Sequence, residues 1–376
     1  MNNSVIIDGG RSPIGIKSGK MIGIRADDLC ASVVQNLLKR NENIDKKYYE
    51  DLVLGCAFPE GSQGMLMSKG VAILSDLPIT SAAKVVNRFC GSSMDAVHQV
   101  SQSIDCGDTF AGIAAGVEDM FQVPMGGFNP SFHPELYEKE YYIGMGETAE
   151  NLAKDLQISR EDQEEFSILS HKKALKAQAE NKFSNEIFKI EFNDSIIEKD
   201  EGPREPDLDK IKSLNPAFDE NGTITAATSS PISVGASAMI IMDESKANEM
   251  NLKPKFRIKS RSVAGVDWVR MGSGPLPATQ KALDKAGLTI NDIDIIELNE
   301  AFAAQSLYVI RKGGWDINKI NVNGGAIALG HPLGCSGSRI IVTLMNAMEQ
   351  NDSALGLATM CIGTGQGIAT ILERIN

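Results

Sequence analysis

Four short segments of this chain set a reactive side chain beside glycine. In Asn87-Arg88-Phe89-Cys90-Gly91-Ser92-Ser93-Met94 a β-branched run ends, a cysteine follows, and small residues open a helix-like stretch. A thiol at a helix start feels the positive end of the backbone dipole, which favours the nucleophilic thiolate. A buried core thiol fits the same pattern. In Asn323-Gly324-Gly325-Ala326-Ile327-Ala328-Leu329-Gly330-His331-Pro332-Leu333-Gly334-Cys335-Ser336-Gly337, one of only four histidines lies in a glycine-rich turn. Glycine admits close backbone approach to a ligand, and an imidazole there can take a thiol proton. A turn histidine with a structural hydrogen bond is equally compatible. Cys361-Ile362-Gly363-Thr364-Gly365-Gln366-Gly367 follows the strand-like run Leu355–Met360, and Asn299-Glu300-Ala301-Phe302 puts a carboxamide at a strand end. No Gly-Lys-Ser/Thr follows these glycines and no GxGxxG occurs, so neither phosphate-loop nor dinucleotide chemistry is indicated.

The elements that must carry these groups alternate between strand and helix patterns. Val5–Asp8, Asp51–Gly55, Lys84–Val86 and Phe110–Gly116 read as short strands, and Asp27–Lys39 carries Leu29, Val33, Val34, Leu37 and Leu38 at helical spacing. This alternation predicts α/β layers with strands covered on both faces. Residues 118–234 differ: Pro, Gly and aromatic loops precede a charged helix over Arg160–Asn181, which Ser159 can cap. They read as an inserted loop subdomain. The last third then repeats the first. Tyr49–Phe58 resembles Asp292–Phe302, each after a helix-like segment (Asp27–Arg40, Pro277–Ala286). Val86-Asn87 resembles Val322-Asn323, and Gly112–Val117 resembles Gly356–Gly363. The matching order indicates an internal duplication.

Composition narrows the classes. The 376 residues are 42% hydrophobic and 23% charged, enough for a large core in two or three domains. Lys+Arg 37 against Asp+Glu 49 gives a net charge of −12, which opposes nucleic-acid binding and leaves an anionic ligand dependent on local basic groups or helix N-termini. The six cysteines are dispersed without a CxxC pair, so neither zinc nor a disulfide framework is expected. Cys30, Cys56 and Cys106 read as packing residues, Cys335 has no required role, and His98 and His171 read as structural or solvent-facing. The opening residues resemble no signal peptide, the last residues resemble no peroxisomal address, and no window suits a membrane span. A cytoplasmic protein is expected.

Together the four segments, with the opening Asp8-Gly9-Gly10-Arg11-Ser12-Pro13-Ile14-Gly15, resemble the thiolase family in sequence and order over essentially the whole chain. The resemblance implies the thiolase fold: two duplicated mixed-sheet α/β halves in an α-β-α-β-α arrangement. Residues 1–117 with 235–252 would form the N-terminal half, 118–234 the CoA-binding loop subdomain and 253–376 the C-terminal half. It also implies roles. Cys90 would be the acylated nucleophile, His331 its activating base, and Cys361 the acid/base at the α-carbon of acetyl-CoA. Asn299 would hold a water that completes one oxyanion hole with His331, and the N–H groups of Cys90 and Gly363 would make the second. Coenzyme A is then a substrate, with no permanently bound cofactor. Ser230 would meet its pantetheine, Phe218 and Leu214 its adenine side, and Ala301, Phe302 and Met145 the acyl end. Arg204 is a candidate phosphate partner or a solvated surface arginine.

Gly55-Cys56-Ala57-Phe58-Pro59-Glu60-Gly61-Ser62-Gln63-Gly64-Met65, Arg88 with Ser92-Ser93-Met94, and Phe132-His133-Pro134 look like the bacterial degradative 3-ketoacyl-CoA thiolase of fatty-acid β-oxidation. A biosynthetic acetoacetyl-CoA thiolase, a ketosynthase-like condensing enzyme and a non-catalytic acyl-CoA binder are the alternatives. The resemblance also implies a homodimer or homotetramer and, for the bacterial enzyme, a hydratase/dehydrogenase subunit as partner. One departure stands out: Val234 precedes Gly235-Ala236 where the family usually has Asp or Asn, which bears on loop packing.

Overall fold

The computed structural model describes residues 3–375. The first stretch runs β1 (Ser4–Arg11), β2 (Gly15–Ile16), α1 (Ala26–Arg40), β3 (Asp51–Gly55), α2 (Met67–Leu74), β4 (Ala82–Val86), α3 (Ser92–Cys106) and β5 (Ala111–Asp119). The middle adds α4 (Pro134–Glu138), α5 (Met145–Asp155), α6 (Arg160–Ala179), the hairpin β6 (Ile190–Phe192) and β7 (Ser195–Ile197), and α7 (Leu208–Ser213). β8 (Ser233–Asp243) and α8 (Glu244–Glu249) return to the main sheet. The last stretch runs β9 (Phe256–Gly265), α9 (Pro275–Ala286), β10 (Ile295–Leu298), α10 (Ala303–Gly313), α11 (Ala326–Leu329), α12 (Leu333–Gln350), β11 (Leu355–Ile362) and β12 (Gln366–Arg374).

The sheet order β10-β11-β12-β9-β1-β8-β5-β3-β4 contains one pattern twice. β1–β8 and β8–β5 are antiparallel, while β5–β3 and β3–β4 are parallel. Likewise β9–β12 and β12–β11 are antiparallel, β11–β10 is parallel, and Ile320 bridges in parallel to Ile296 where β4 would lie. Among the described residues the two sets are hydrogen-bonded to each other through the short β1–β9 pairing at Val5↔Arg257 and Ile6↔Phe256.

Alternation along the strands builds the layers, because successive side chains point to opposite faces. Ile113, Ala115 and Val117 of β5 pack with Leu29, Val33 and Leu37 of α1. Ala114 points the other way, into a central cluster with Met94 and Val97 of α3, Ile340 and Leu344 of α12, and Met360 of β11. Leu357 and Cys361 of β11 face a third cluster with Ala282 of α9 and Val309 of α10. The order is therefore helix, sheet, the α3/α12 pair, sheet, helix. The two central helices approach closely: a Cβ at Gly337 would lie 2.3 Å from the Met94 amide nitrogen, a contact only glycine permits.

Local signals explain the helix ends. α1 has Asp27 and Asp28 in its first turn and Lys39 and Arg40 in its last, matching the helix dipole. Ser159 caps α6 in a reciprocal box with Asp162. The middle segment is tied to β1 by buried Arg11, which donates to Asp200 at 2.6 and 2.9 Å and to Glu186 at 2.7 Å. The charged 194–219 stretch contains β7 and α7. Among the described residues no helix is long and apolar enough to cross a membrane.

Candidate active site

Cys90 sits in a 3₁₀ turn, Phe89–Gly91, between β4 and α3. Polar groups on both sides pin that turn. Asn87 Oδ1 accepts from the Phe89 N–H at 2.9 Å, while Ser92 Oγ accepts from the Arg88 N–H at 2.9 Å and donates to the Phe89 carbonyl at 2.6 Å. Phe89 has φ +41°, a left-handed conformation that is costly for a bulky residue and so must be held by its surroundings. The N–H groups of Gly363 and of Cys90 itself converge on the Cys90 sulfur. Burial pushes that thiol up to about 11 despite them. The helix-start expectation of a favoured thiolate is opposed here: α3 begins two residues later, and desolvation is the largest influence on the thiol.

His331 precedes α12 and is buried. Its Nδ1 lies 2.5 Å from Ser336 Oγ, which spends its own proton on the Pro332 carbonyl at 2.9 Å. Ser336 can then only accept, so Nδ1 carries the ring hydrogen and Nε2 keeps a free lone pair. Nε2 faces Asn299 Nδ2 at 3.4 Å. Burial, with the Arg339 cation nearby, lowers His331 to about 3, so the imidazole is neutral at physiological pH. Asn299 follows β10, fully buried, and its Oδ1 has no partner among the described residues.

Cys361 lies inside β11 rather than beyond it. The strand runs on to Ile362, because Cys361 pairs with Gly367 and Ile362 with Gln366 across the hairpin to β12. Burial first, and the neighbouring Cys90 second, push its thiol well above the usual range. The turn between the strands, Gly363–Gly365, uses left-handed Thr364 and Gly365 at φ +66° and +84°. β11 and α12 both pack on the turn that carries Cys90. Cys361 of the second half is thus brought beside Cys90 of the first, while Asn299 and His331 of the second half face each other at 3.4 Å.

Several of the residues suggested for coenzyme A gather beside them. The Met145 sulfur lies 3.4 Å from where a Gly363 Cβ would stand. The Phe218 and Phe302 rings meet edge-on, 5.7 Å apart. The Ser230 N–H donates to the Ala301 carbonyl at 3.0 Å, and Ser229 forms a β-bridge with Phe302. The hydrogen bonds of Leu214 and Arg204 run elsewhere. The Leu214 carbonyl accepts from Arg160, and exposed Arg204 donates to the Gly202 carbonyl and the His171 ring. Among the described residues no cluster of three or more His, Cys, Asp or Glu could hold a metal ion.

The remaining expectations divide. Cys30, Cys56 and Cys335 are buried, but Cys106 is exposed at the last position of α3, so it is no packing residue. His98 is buried against Thr370 Oγ1 at 2.8 Å. Val234 is buried in the outer core against Gly15, an apolar replacement the packing absorbs. Sequence reasoning passed over Ser336, whose only signal is its place five residues after a turn histidine. It also passed over Glu118, which with Asp119 closes an otherwise apolar buried strand.

Comparison with known proteins agrees with this geometry. The family model for the thiolase N-terminal domain matches residues 4–245, and that for the thiolase C-terminal domain matches residues 252–374. A 3-ketoacyl-CoA thiolase of Marinomonas sp. is 48% identical over 388 residues, covering 100% of this chain and 99% of the relative. One of Shewanella baltica is 48% identical over 390 residues, covering 100% of both. The crystal structure of the Bacillus anthracis acetyl-CoA acetyltransferase superposes with a TM-score of 0.91 at 34% identity, over 100% of this chain and 99% of that one. Matched from end to end in both sequence and fold, the chain belongs to the thiolase family.

Proposed function

We propose that this chain is a 3-ketoacyl-CoA thiolase, which cleaves a 3-ketoacyl-CoA with coenzyme A to acetyl-CoA and a shortened acyl-CoA, reversibly. The observation that carries the reading is the convergence of the Gly363 and Cys90 N–H groups on the Cys90 sulfur, with a second thiol, Cys361, beside it. One sulfur can hold the acyl group while the other serves the α-carbon. The names of the full-length relatives support the substrate class.

In this mechanism Cys90 Sγ attacks the 3-keto carbon as its proton passes to His331 Nε2. The thiol stands near 11 and the imidazole near 3. The proton therefore moves as the C–S bond forms, not before it. The N–H groups of Cys90 and Gly363 receive the developing oxyanion; one such donor is worth roughly 3–4 kcal/mol in comparable enzymes. The bond between C2 and C3 then breaks, leaving an acyl-Cys90 thioester and the acetyl-CoA enolate. Asn299 and His331 stabilise the enolate oxygen, and the Cys361 S–H protonates its carbon. A second coenzyme A, deprotonated by the Cys361 thiolate, attacks the acyl-Cys90 carbonyl. Release of Cys90, reprotonated by His331, completes the cycle. Met145, Phe218, Ser230, Ala301 and Phe302 line the substrate; Leu214 and Arg204 serve the nucleotide end.

The same reading places the chain in the cytoplasm as a dimer or tetramer, with a hydratase/dehydrogenase subunit as partner. Support for self-association comes from β4, an open sheet edge, flanked by exposed Met65, Leu66, Ile73 and Ile79. Mass spectrometry after brief mixing with acyl-CoA, followed by a thiolysis series from acetoacetyl-CoA to C16 3-ketoacyl-CoA, tests the function. Acylation at Cys90 with activity on the longer substrates is expected. A sharp preference for acetoacetyl-CoA would defeat the degradative assignment, and absence of any adduct would defeat the enzyme.

A further inference from the structure

Glu118 is a buried carboxylate that the mechanism above does not use. It is the next-to-last residue of β5, and four nitrogens donate to it. Oε2 accepts from the Ala57 N–H at 2.7 Å and the Gly334 N–H at 2.8 Å. Oε1 accepts from Gln63 Nε2 at 2.8 Å and the Phe58 N–H at 3.2 Å, with the Cys56 thiol at 3.7 Å. The donors come from two places. Cys56, Ala57, Phe58 and Gln63 lie in the loop after β3, whereas Gly334 is in the first turn of α12, three residues after His331.

The loop after β3 also holds the turn that carries Cys90. The Ala57 carbonyl accepts from Asn87 Nδ2 at 2.9 Å, and the Phe58 ring lies 5.7 Å from the Phe89 ring. Gln63 braces the loop from the other side, donating to the Phe58 carbonyl at 2.8 Å and accepting from the Asp119 N–H at 2.6 Å. A single oxygen therefore joins the nucleophile's support to the base's support. Only a carboxylate suits this place, since both oxygens must accept from N–H donors and an amide would turn an NH₂ toward one pair. Burial still raises the Glu118 carboxyl above the usual range, and those same donors offset part of that penalty.

We propose that Glu118 is a positioning residue that sets Cys90 against His331 for acyl transfer. The inference rests on the reading of Cys90 as the acylated nucleophile. Glu118→Gln keeps size and shape but sets its amide hydrogens against the Ala57 and Gly334 N–H groups or against those of Gln63 and Phe58. One support then moves relative to the other. Misplacement by about 1 Å costs such reactions on the order of 100-fold.

The test is rapid-mixing acylation of the full chain with acetyl-CoA, reading burst rate and burst amplitude separately, with steady-state KM alongside. For Glu118→Gln the burst rate is expected to fall roughly 10–100-fold. Amplitude per chain should be unchanged and KM should shift less than about threefold, because binding groups stay in place. A merely structural role lowers amplitude in proportion to misfolded protein and spares the rate of what remains. That result, or an unchanged rate, overturns the proposal. Should Glu118→Gln not fold, Gln63→Ala decides: it removes one donor and should slow the burst about 2–5-fold, a smaller loss because the Oε2 bridge persists. A parental rate there also overturns the inference. If the unaltered chain gives no acyl-Cys90, it is the proposed function that fails instead.

Discussion

The two halves of the sheet share one topology yet contribute unequally to the site. The register equates Asp51 with Ile295 and Gly112 with Gly356, since β3 pairs with β5 as β10 pairs with β11. Counting along the strands sets Gly55 opposite Asn299 and Val117 opposite Cys361. In the first half these positions are packing positions. A Cβ on Gly55 would lie 2.3 Å from the Ser93 amide nitrogen, and Val117 belongs to the outer core. In the second half the same strand ends carry a carboxamide and a thiol. Duplication has copied the scaffold and not the chemistry: the first half lends the turn that holds Cys90, and the second supplies His331, Asn299 and Cys361.

The largest expected effect breaks the arrangement outright. Cys90→Ala should abolish both the acyl adduct and turnover, a loss of at least about 10⁴-fold judged from nucleophile removal in other enzymes. A variant that still forms the adduct would move the nucleophile to the other half. Cys361→Ala should divide the reaction: acyl exchange at Cys90 continues, while exchange of acetyl-CoA α-hydrogens with solvent stops, a loss of roughly 10²–10⁴-fold in that step. If acylation disappears first, the roles of the two thiols are reversed.

The next prediction compares equivalent positions directly. Asn299→Ala should lower kcat about 10²–10³-fold and leave the melting temperature nearly unchanged. Gly55→Ala should instead cost about 1–3 kcal/mol of stability, because the new methyl meets backbone. Thermal melts beside kinetics would show the crossover, and its absence would end the contrast. Ser336→Ala frees the His331 ring to change tautomer and should cost roughly 10–100-fold in acylation, as loss of an outer partner does at other histidine sites. Full activity would mean another group fixes Nδ1.

The smallest effect concerns the join between halves, where His98 of α3 meets Thr370 of β12. Burial chiefly, then the cations Arg261, Arg88 and Lys285, lowers His98 to about 3. An unfolded histidine takes up its proton near pH 6.5, while the native one stays neutral until far lower. The unfolded state then binds more protons, so stability falls as pH drops from about 6.5 toward 3, by up to ~1.4 kcal/mol per pH unit for this group. Denaturant titrations at pH 7 and 5 should show a shallower acid loss in His98→Gln than in the parent.

Much of this was legible beforehand because it follows from local rules. The α1 stripe, the Ser159 cap and the glycine-flanked Cys90, His331 and Cys361 each lie within one short window. The duplication was legible as well, in the matched order of segments. Other features were not. The end of β11 depends on its partner strand, since Cys361 belongs to the ladder only because Gly367 faces it. The exposure of Cys106 depends on what covers the end of α3.

Residue types and their order along the chain were enough to determine the family, the layered α/β plan and the groups capable of thioester chemistry, because patterning and motif are properties of neighbouring residues. Tertiary structure alone decided the protonation of those groups and the joints between them. Burial makes Cys90 a resting thiol and His331 a neutral base, Ser336 selects the free nitrogen, and Glu118 spans the two supports. Desolvation and hydrogen bonding depend on whatever the fold brings alongside, across separations of hundreds of residues.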